Sequence, residues 1–137
     1  ERTLAKYIMN AAGVISPGNV GLTAMHSLAY GVPVITHGDD DAQMPEAEAI
    51  IDGVTGFRFT MNSVPSLSSS IVTLLSMTEE DRLRMRGYCI KIIEVFFNPR
   101  HQLRKLENAV KGNPEQEPIS IRITKKEITE NDSDYVS

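Results

Sequence analysis

The stretch that decides the fold is residues 13–36, GVISPGNVGLTAMHSLAYGVPVIT. Two short, continuously apolar runs, 13–16 and 33–36, are typical of buried strands. Between them lie a glycine-rich loop and an amphipathic segment that begins at Leu22 and ends before Gly31. Glycine is the residue most often found just beyond a helix C-terminus. The order strand, loop, helix, strand predicts a βαβ unit with two parallel strands.

The pattern continues on both sides of this unit. Helical periodicity precedes it over 2–12, and a third strand is predicted at 57–59 after a short helix that begins at Pro45. Further helices are predicted over 64–75, 79–97 and 99–111. These elements predict the α/β class, with a Rossmann-like parallel sheet covered by helices on both faces. A complete domain of this type has about five or six strands, so we expect the remaining strands to precede Glu1.

Composition excludes several classes of protein. The chain has 137 residues, 41% of them hydrophobic, one cysteine and a net charge of −4. An acidic chain lacks the basic footprint of a nucleic-acid-binding module. One cysteine excludes an internal disulfide and favours a reducing compartment. No apolar run approaches the ~20 residues of a membrane span, and no signal peptide is evident.

The charge is concentrated at the end of the chain. Residues 113–137 carry a net charge of −3, and residues 1–112 carry the remaining −1. We therefore predict a folded region over 1–112 and an acidic, flexible tail over 113–137. Within the tail, Ile119, Ile121 and Ile123 alternate with polar residues, which leaves an edge strand as the alternative.

The segment 16–23 has the chemistry of a ligand-binding loop. It joins the end of a predicted parallel strand to a helix N-terminus, where free N–H groups favour an anion. Gly18 and Gly21 have no side chain, so a phosphate or a sugar could approach the backbone. The alternative is a tight turn with no ligand. The loop lacks the lysine of a Walker loop and the spacing of a dinucleotide fingerprint.

Several segments in this order resemble a known family: AGVISP at 12–17, GL at 21–22, AYGVPVI at 29–35, PE at 45–46 and DGVTGF at 52–57. They are similar to the C-terminal domain of the group 1, or GT4, family of retaining glycosyltransferases with the GT-B fold. The match extends from about residue 4 to residue 75, and the helix after 98–99 is similar to the terminal helix of the family. The resemblance implies a partial GT-B C-terminal domain.

The resemblance also implies a ligand and a set of contacts. The family domain binds a nucleotide-diphosphate sugar, here expected to be a UDP- or GDP-sugar. The donor-sugar loop corresponds to Asn19, Val20 and Gly21. The backbone amides that hold the diphosphate correspond to Leu22 and Thr23.

Two positions depart from the family pattern. The family has two glutamates eight positions apart, and Gly18 and His26 stand at those positions. His26 is a candidate ligand of the ribose hydroxyls, with a helix residue satisfied by a neighbour as the alternative. Gly18 and Glu46, the latter in the Pro-Glu pair, are further candidates for the cleft. The catalytic residues cannot be assigned from these matches.

Other residues have simpler interpretations. The segment 37–41, HGDDD, is expected to be a solvated rim loop rather than a metal site, because three adjacent carboxylates cannot converge on one ion without distortion. The family uses no metal in catalysis, and no cofactor is expected. Cys89 lies within a helical run and is expected to be buried.

The sequence thus predicts part of a retaining glycosyltransferase that transfers a hexosyl group to an acceptor hydroxyl. The resemblance implies an acceptor sugar or lipid-linked glycan bound by a separate N-terminal domain, a cytoplasmic location and peripheral membrane association of the intact enzyme. Residues 1–137 alone are expected to be inactive. The alternatives are a non-catalytic α/β interaction or pseudo-enzyme domain and a GT-B sugar-nucleotide epimerase.

Overall fold

A computed structural model of the chain describes residues 2–112. Ten elements follow one another: α1 (Arg2–Met9), β1 (Val14–Ser16), α2 (Leu22–Ala29), β2 (Val34–His37), two 3₁₀ turns (Asp40–Ala42 and Pro45–Ala49), β3 (Gly56–Phe59), α3 (Val64–Leu75), α4 (Glu79–Phe96) and α5 (Pro99–Val110). The predicted tail over 113–137, including Ile119, Ile121 and Ile123, lies outside the described residues.

The three strands form one parallel sheet in the order β1-β2-β3. Val34 in the central strand is paired with Val14 on one side and with Gly56 on the other. Helix α2 packs on α4 and on the second 3₁₀ turn, and α3 packs on β2 and β3. The predicted fold class, a Rossmann-like parallel sheet flanked by helices, is confirmed.

The core lies between the central strand and the helices that cover it. Val34 and Ile35 in β2 have no exposed surface, as expected for a parallel strand covered by helices. Ala24 and Leu28 supply the buried side of α2. The buried hydrophobic cluster comprises Val20, Ala24, Leu28, Val34, Ile35, Ala47, Ala49, Ile50, Val54, Phe59, Leu74, Met85, Tyr88, Cys89 and Ile92. Cys89 is therefore buried as predicted.

Two glycines are required by the backbone geometry. Gly31 follows α2 with a φ of 73°, and its N–H donates to the carbonyl oxygen of Leu28, so the predicted helix stop is confirmed. At Gly56, a Cβ would lie 1.9 Å from the carbonyl oxygen of Val34. Only a residue without a side chain allows β3 to approach β2 this closely.

One local prediction was wrong, and the short helix predicted after Pro45 was right in its start but not in its type. His37 was expected in a solvated loop, but it is the last residue of β2 and is only 1% exposed. Its Nδ1 accepts a hydrogen bond from the Asp39 N–H at 3.3 Å, and its ring packs edge-on against Phe59. The predicted helix after Pro45 is a five-residue 3₁₀ turn, since so short a segment cannot offset the cost of starting an α-helix.

Caps begin the two long helices of the second half. The Ser63 hydroxyl accepts a hydrogen bond from the Ser66 N–H at the start of α3, and the Thr78 hydroxyl does the same for the Asp81 N–H at the start of α4. Such caps contribute about 1 kcal/mol each. Within residues 2–112, none of the helices combines the length and the apolar character that crossing a bilayer requires.

Candidate functional site

The carboxyl ends of the three strands meet at one edge of the sheet. Ser16 ends β1, His37 ends β2 and Phe59 ends β3. In parallel α/β sheets, ligands bind in the crevice outside this edge, because the loops that follow the strands converge there. The predicted donor loop follows β1 and the two 3₁₀ turns follow β2, so both belong to the same edge.

Helix α2 begins at this edge without a side-chain cap. Its first residue is Leu22, and the N-cap position is occupied by Gly21, which has no side chain to accept from the helix. The Ala24 N–H donates to the Gly21 carbonyl oxygen at 2.9 Å. The N–H groups of Leu22 and Thr23 have no acceptor within the helix. The positive end of the helix dipole is thus presented at the edge of the sheet.

No neighbouring group crowds Gly18 or Gly21 beside this helix terminus. Apart from each glycine and its two chain neighbours, no atom among residues 2–112 lies within 4 Å of the position that a Cβ would take. Crowding therefore does not require glycine at either position. The arrangement leaves room for a ligand that contacts the backbone directly.

The predicted site residues divide into two groups. Gly18, Asn19, Leu22 and Thr23 are exposed, and Leu22 is 66% exposed although it opens a helix that covers the core. These four residues of the segment 18–23 precede or open α2.

Val20 has a different environment. Its side chain is 1% exposed and belongs to the core cluster. Its N–H donates to the Gln43 Oε1 at 2.9 Å, so this N–H is already paired within the chain. Val20 fixes the loop to the body of the domain, while its neighbours face outward.

His26 lies one turn into α2 and is exposed. It follows Leu22 by four residues and Thr23 by three, so its side chain lies on the same face of the helix as theirs. Helical side chains lean towards the helix N-terminus. The His26 side chain therefore leans towards a group bound at the start of α2.

Gln43 is the residue of this edge that the sequence did not reveal. Its side-chain amide links the loop after β1 to the end of β2. Besides accepting from Val20, it donates through Nε2 to the Thr36 Oγ1 at 2.8 Å and to the His37 carbonyl oxygen at 3.2 Å. The Thr36 hydroxyl in turn donates to the Gly18 carbonyl oxygen at 3.4 Å. A glutamine in a polar loop carries no periodicity or motif that would have identified it.

A cavity of about 370 Å³ adjoins Gln43 on the side of the 3₁₀ turns. Arg58 from β3 reaches into this region and pairs with Asp40 at 2.8 Å between Nη1 and Oδ1. Its positive charge is therefore balanced within the chain. The cavity is lined by Asp40, Gln43, Met44, Pro45, Ala47, Glu48, Ile50 and Arg58.

Glu46 does not line this cavity. It lies in the 3₁₀ turn that packs against α2, and its Oε2 is buried with no hydrogen-bond partner among residues 2–112. A buried carboxylate oxygen without a partner is costly, and a ligand hydroxyl is one group that could satisfy it. The structure thus places Glu46 in the turn that packs against α2 and leaves one of its oxygens unpaired.

Cys89 is not a candidate nucleophile. It lies in α4 with no exposed surface, and its thiol donates to the Thr55 carbonyl oxygen at 3.4 Å. Burial raises the pKa of the Cys89 thiol to about 12. The reactive thiolate is therefore absent at neutral pH.

Comparison of the chain with protein-family models, with curated proteins and with solved structures finds no match. The geometry of the carboxyl edge and the resemblance of the sequence segments described above are what bear on the function of this chain.

Proposed function

We propose that this chain is the donor-binding part of a retaining glycosyltransferase of the group 1 family and binds a nucleotide-diphosphate sugar. The observation that carries the proposal is the start of α2, where the helix has no side-chain cap and the Cβ positions of Gly18 and Gly21 are uncrowded. This is the arrangement expected of an anion site in an α/β domain.

Each exposed residue has a role in this proposal. The N–H groups of Leu22 and Thr23 bind the diphosphate, and Gly18, Asn19 and Gly21 allow the sugar to lie against the backbone. His26 donates or accepts a hydrogen bond at the ribose hydroxyls. Catalysis by the intact enzyme then consists of positioning the donor and stabilising the departing diphosphate.

The proposal extends to the partners of the intact enzyme. The hexosyl group passes to a hydroxyl of an acceptor sugar or lipid-linked glycan that a separate N-terminal domain binds. The enzyme acts in the cytoplasm with peripheral membrane association. Without the acceptor domain, residues 1–137 have no transfer activity.

The affinity of this chain alone should be low. Two or three charge-assisted hydrogen bonds with a net contribution of about 2 kcal/mol each total about 4–6 kcal/mol, and the lower value corresponds to a Kd on the order of 1 mM. NMR titration measures binding in this range, since it reports shifts residue by residue.

The test is a titration of the ¹⁵N-labelled chain with UDP-glucose and GDP-mannose, followed through backbone amide shifts. We expect the largest shifts at Leu22 and Thr23, with smaller shifts at Asn19 and His26. A dispersed spectrum of a folded chain that neither nucleotide sugar alters at 10 mM ligand (a concentration about tenfold above the expected Kd) would refute the proposal.

A non-catalytic α/β interaction domain is the second candidate. It is favoured by Gly18 and His26, which stand where the family has two carboxylates. This candidate predicts no nucleotide-dependent shifts, so the same titration separates the two. Product analysis of the intact enzyme with labelled donor would separate transfer from epimerisation, because an epimerase releases an isomer of the sugar without an acceptor.

A further inference from the structure

We propose that Gln43 is the positioning residue of the donor loop: its side-chain amide holds the backbone of residues 18–21 in the conformation that receives the diphosphate. The inference rests on the proposed function and assigns a role to a residue outside the resemblance to the family. It concerns how the site is held in shape rather than which atoms touch the ligand.

The geometry of the amide carries the proposal. Gln43 uses both ends of its side chain: Oε1 accepts from the Val20 N–H at 2.9 Å, and Nε2 donates to the Thr36 Oγ1 at 2.8 Å. A third bond runs from Nε2 to the His37 carbonyl oxygen at 3.2 Å. The amide thus connects the loop after β1 to the rigid carboxyl end of the central strand.

The loop is held from two sides. Thr36 donates to the Gly18 carbonyl oxygen at 3.4 Å, while Gln43 accepts from the N–H of Val20. These two bonds hold the peptide groups on either side of the Asn19 Cα. Because the side chain of Val20 is also buried, the backbone has little freedom between this anchor and the start of α2. The direction of the Leu22 and Thr23 N–H groups is thereby set by Gln43.

Glutamine suits this position better than its closest analogues. The amide supplies one acceptor and one donor at the same reach. A glutamate would place a second acceptor against the His37 carbonyl oxygen and a negative charge beside the diphosphate. A methionine has a similar length and volume but provides neither bond, which makes Gln43→Met the informative substitution.

Without the amide, the Val20 N–H would lack its partner and the loop would turn to let it reach water. We expect this change to reorient the N–H groups at the start of α2. Loss of one charge-assisted hydrogen bond to the diphosphate is worth about 1.5 kcal/mol. A loss of nucleotide-sugar affinity on the order of tenfold is therefore expected for Gln43→Met.

The experiment compares the 137-residue chain with Gln43→Met and with a matched control, Thr55→Val. Thr55 lies before the amino end of β3 and makes two short side-chain hydrogen bonds, to the Ile51 N–H and to the Ala49 carbonyl oxygen, at 2.8 and 2.7 Å. Thr55→Val removes both bonds far from the donor loop. Measured quantities are the Tm, the hydrogen exchange of the Val20 amide, and the Kd for UDP-glucose and GDP-mannose.

Gln43→Met should accelerate exchange at Val20 and weaken nucleotide-sugar binding about tenfold, whereas Thr55→Val should lower the Tm and leave the Kd unchanged. If Gln43→Met binds as tightly as the unmodified chain, the positioning role is wrong while the proposed function stands. If the unmodified chain binds neither nucleotide sugar, both the positioning role and the proposed function are wrong.

A second variant keeps the inference testable if Gln43→Met does not fold. Thr36→Val has nearly the same shape and removes the hydroxyl that accepts from the Gln43 amide and donates to Gly18. We expect weaker binding and faster Val20 exchange in this variant as well. Unchanged binding in folded Thr36→Val would overturn the positioning role.

Discussion

Replacement of Gly21 by aspartate would put a carboxylate at the N-cap of α2, where we propose that the diphosphate binds. There is room for the new side chain, because, apart from Gly21 and its two chain neighbours, no atom among residues 2–112 lies within 4 Å of the new Cβ. Aspartate is also a favoured N-cap that accepts hydrogen bonds from the first turn. The substitution should therefore leave the fold intact while closing the site.

Gly21→Asp should change the stability of the fold much less than it changes the affinity for the ligand. Aspartate in place of glycine at an N-cap changes the free energy of unfolding by only a few tenths of a kcal/mol. At about 5 Å and an effective dielectric constant of about 40, each ligand charge is repelled by about 1.7 kcal/mol. Two charges on the diphosphate give about 3 kcal/mol, a loss of affinity on the order of 100-fold.

The assay is thermal unfolding of Gly21→Asp combined with the amide-shift titration. We expect a Tm within a few degrees of that of the unmodified chain and no nucleotide-dependent shifts at Leu22 and Thr23. The matched control is Gly87→Asp, which adds the same charge at an exposed position of α4 that has no neighbouring atom within 4 Å. Unaltered binding by folded Gly21→Asp would show that the diphosphate does not bind at the start of α2.

Three further predictions concern single residues. His26→Ala should weaken nucleotide binding about fivefold, the value of one hydrogen bond, without lowering the Tm; equal affinity would make His26 a surface residue only. Gly56→Ala should lower the free energy of unfolding by about 3 kcal/mol or more, because its Cβ would lie 1.9 Å from the Val34 carbonyl oxygen, whereas Gly87→Ala should be neutral or stabilising in urea denaturation. For Cys89, the thiol of the unfolded chain ionises near its ordinary pKa of 9.0 and the buried thiol only near about 12. The free energy of unfolding should therefore decline between these pH values, by up to about 1.4 kcal/mol per pH unit. Urea denaturation at several pH values should show this decline in the unmodified chain but not in Cys89→Ala. An equal pH dependence of the free energy of unfolding in both proteins would contradict the burial of the thiol.

The fold was predictable where local signals and burial agree. Strand β2 contains Val34 and Ile35, which are apolar and fully buried, and Gly31 ends the preceding helix with a positive φ. His37 was misplaced because a polar side chain after a strand normally indicates a loop. Here tertiary contacts, an Asp39 N–H and the ring of Phe59, compensate for burying the imidazole.

The candidate site was predictable only in its local part. The segment 18–23 can be recognised because a strand, two glycines and a helix start follow one another in the sequence. Gln43 could not be found in this way, since its side chain accepts a hydrogen bond from the Val20 N–H, 23 positions earlier in the chain. Side-chain bonds between separate loops depend on how the strands are ordered, and a single sequence does not specify which polar loop residue will reach its neighbour.

The glycines of this domain support the proposal that the ligand binds at the start of α2 rather than at the amino end of the sheet. At Gly31 and Gly56 a side chain would collide with Arg86 or with the β2 backbone, so the fold itself requires glycine. At Gly18 and Gly21 neither neighbouring atoms nor a positive φ impose this requirement. Glycine at these two positions destabilises the loop by increasing the entropy of the unfolded chain, and a ligand that binds the bare backbone would offset that cost.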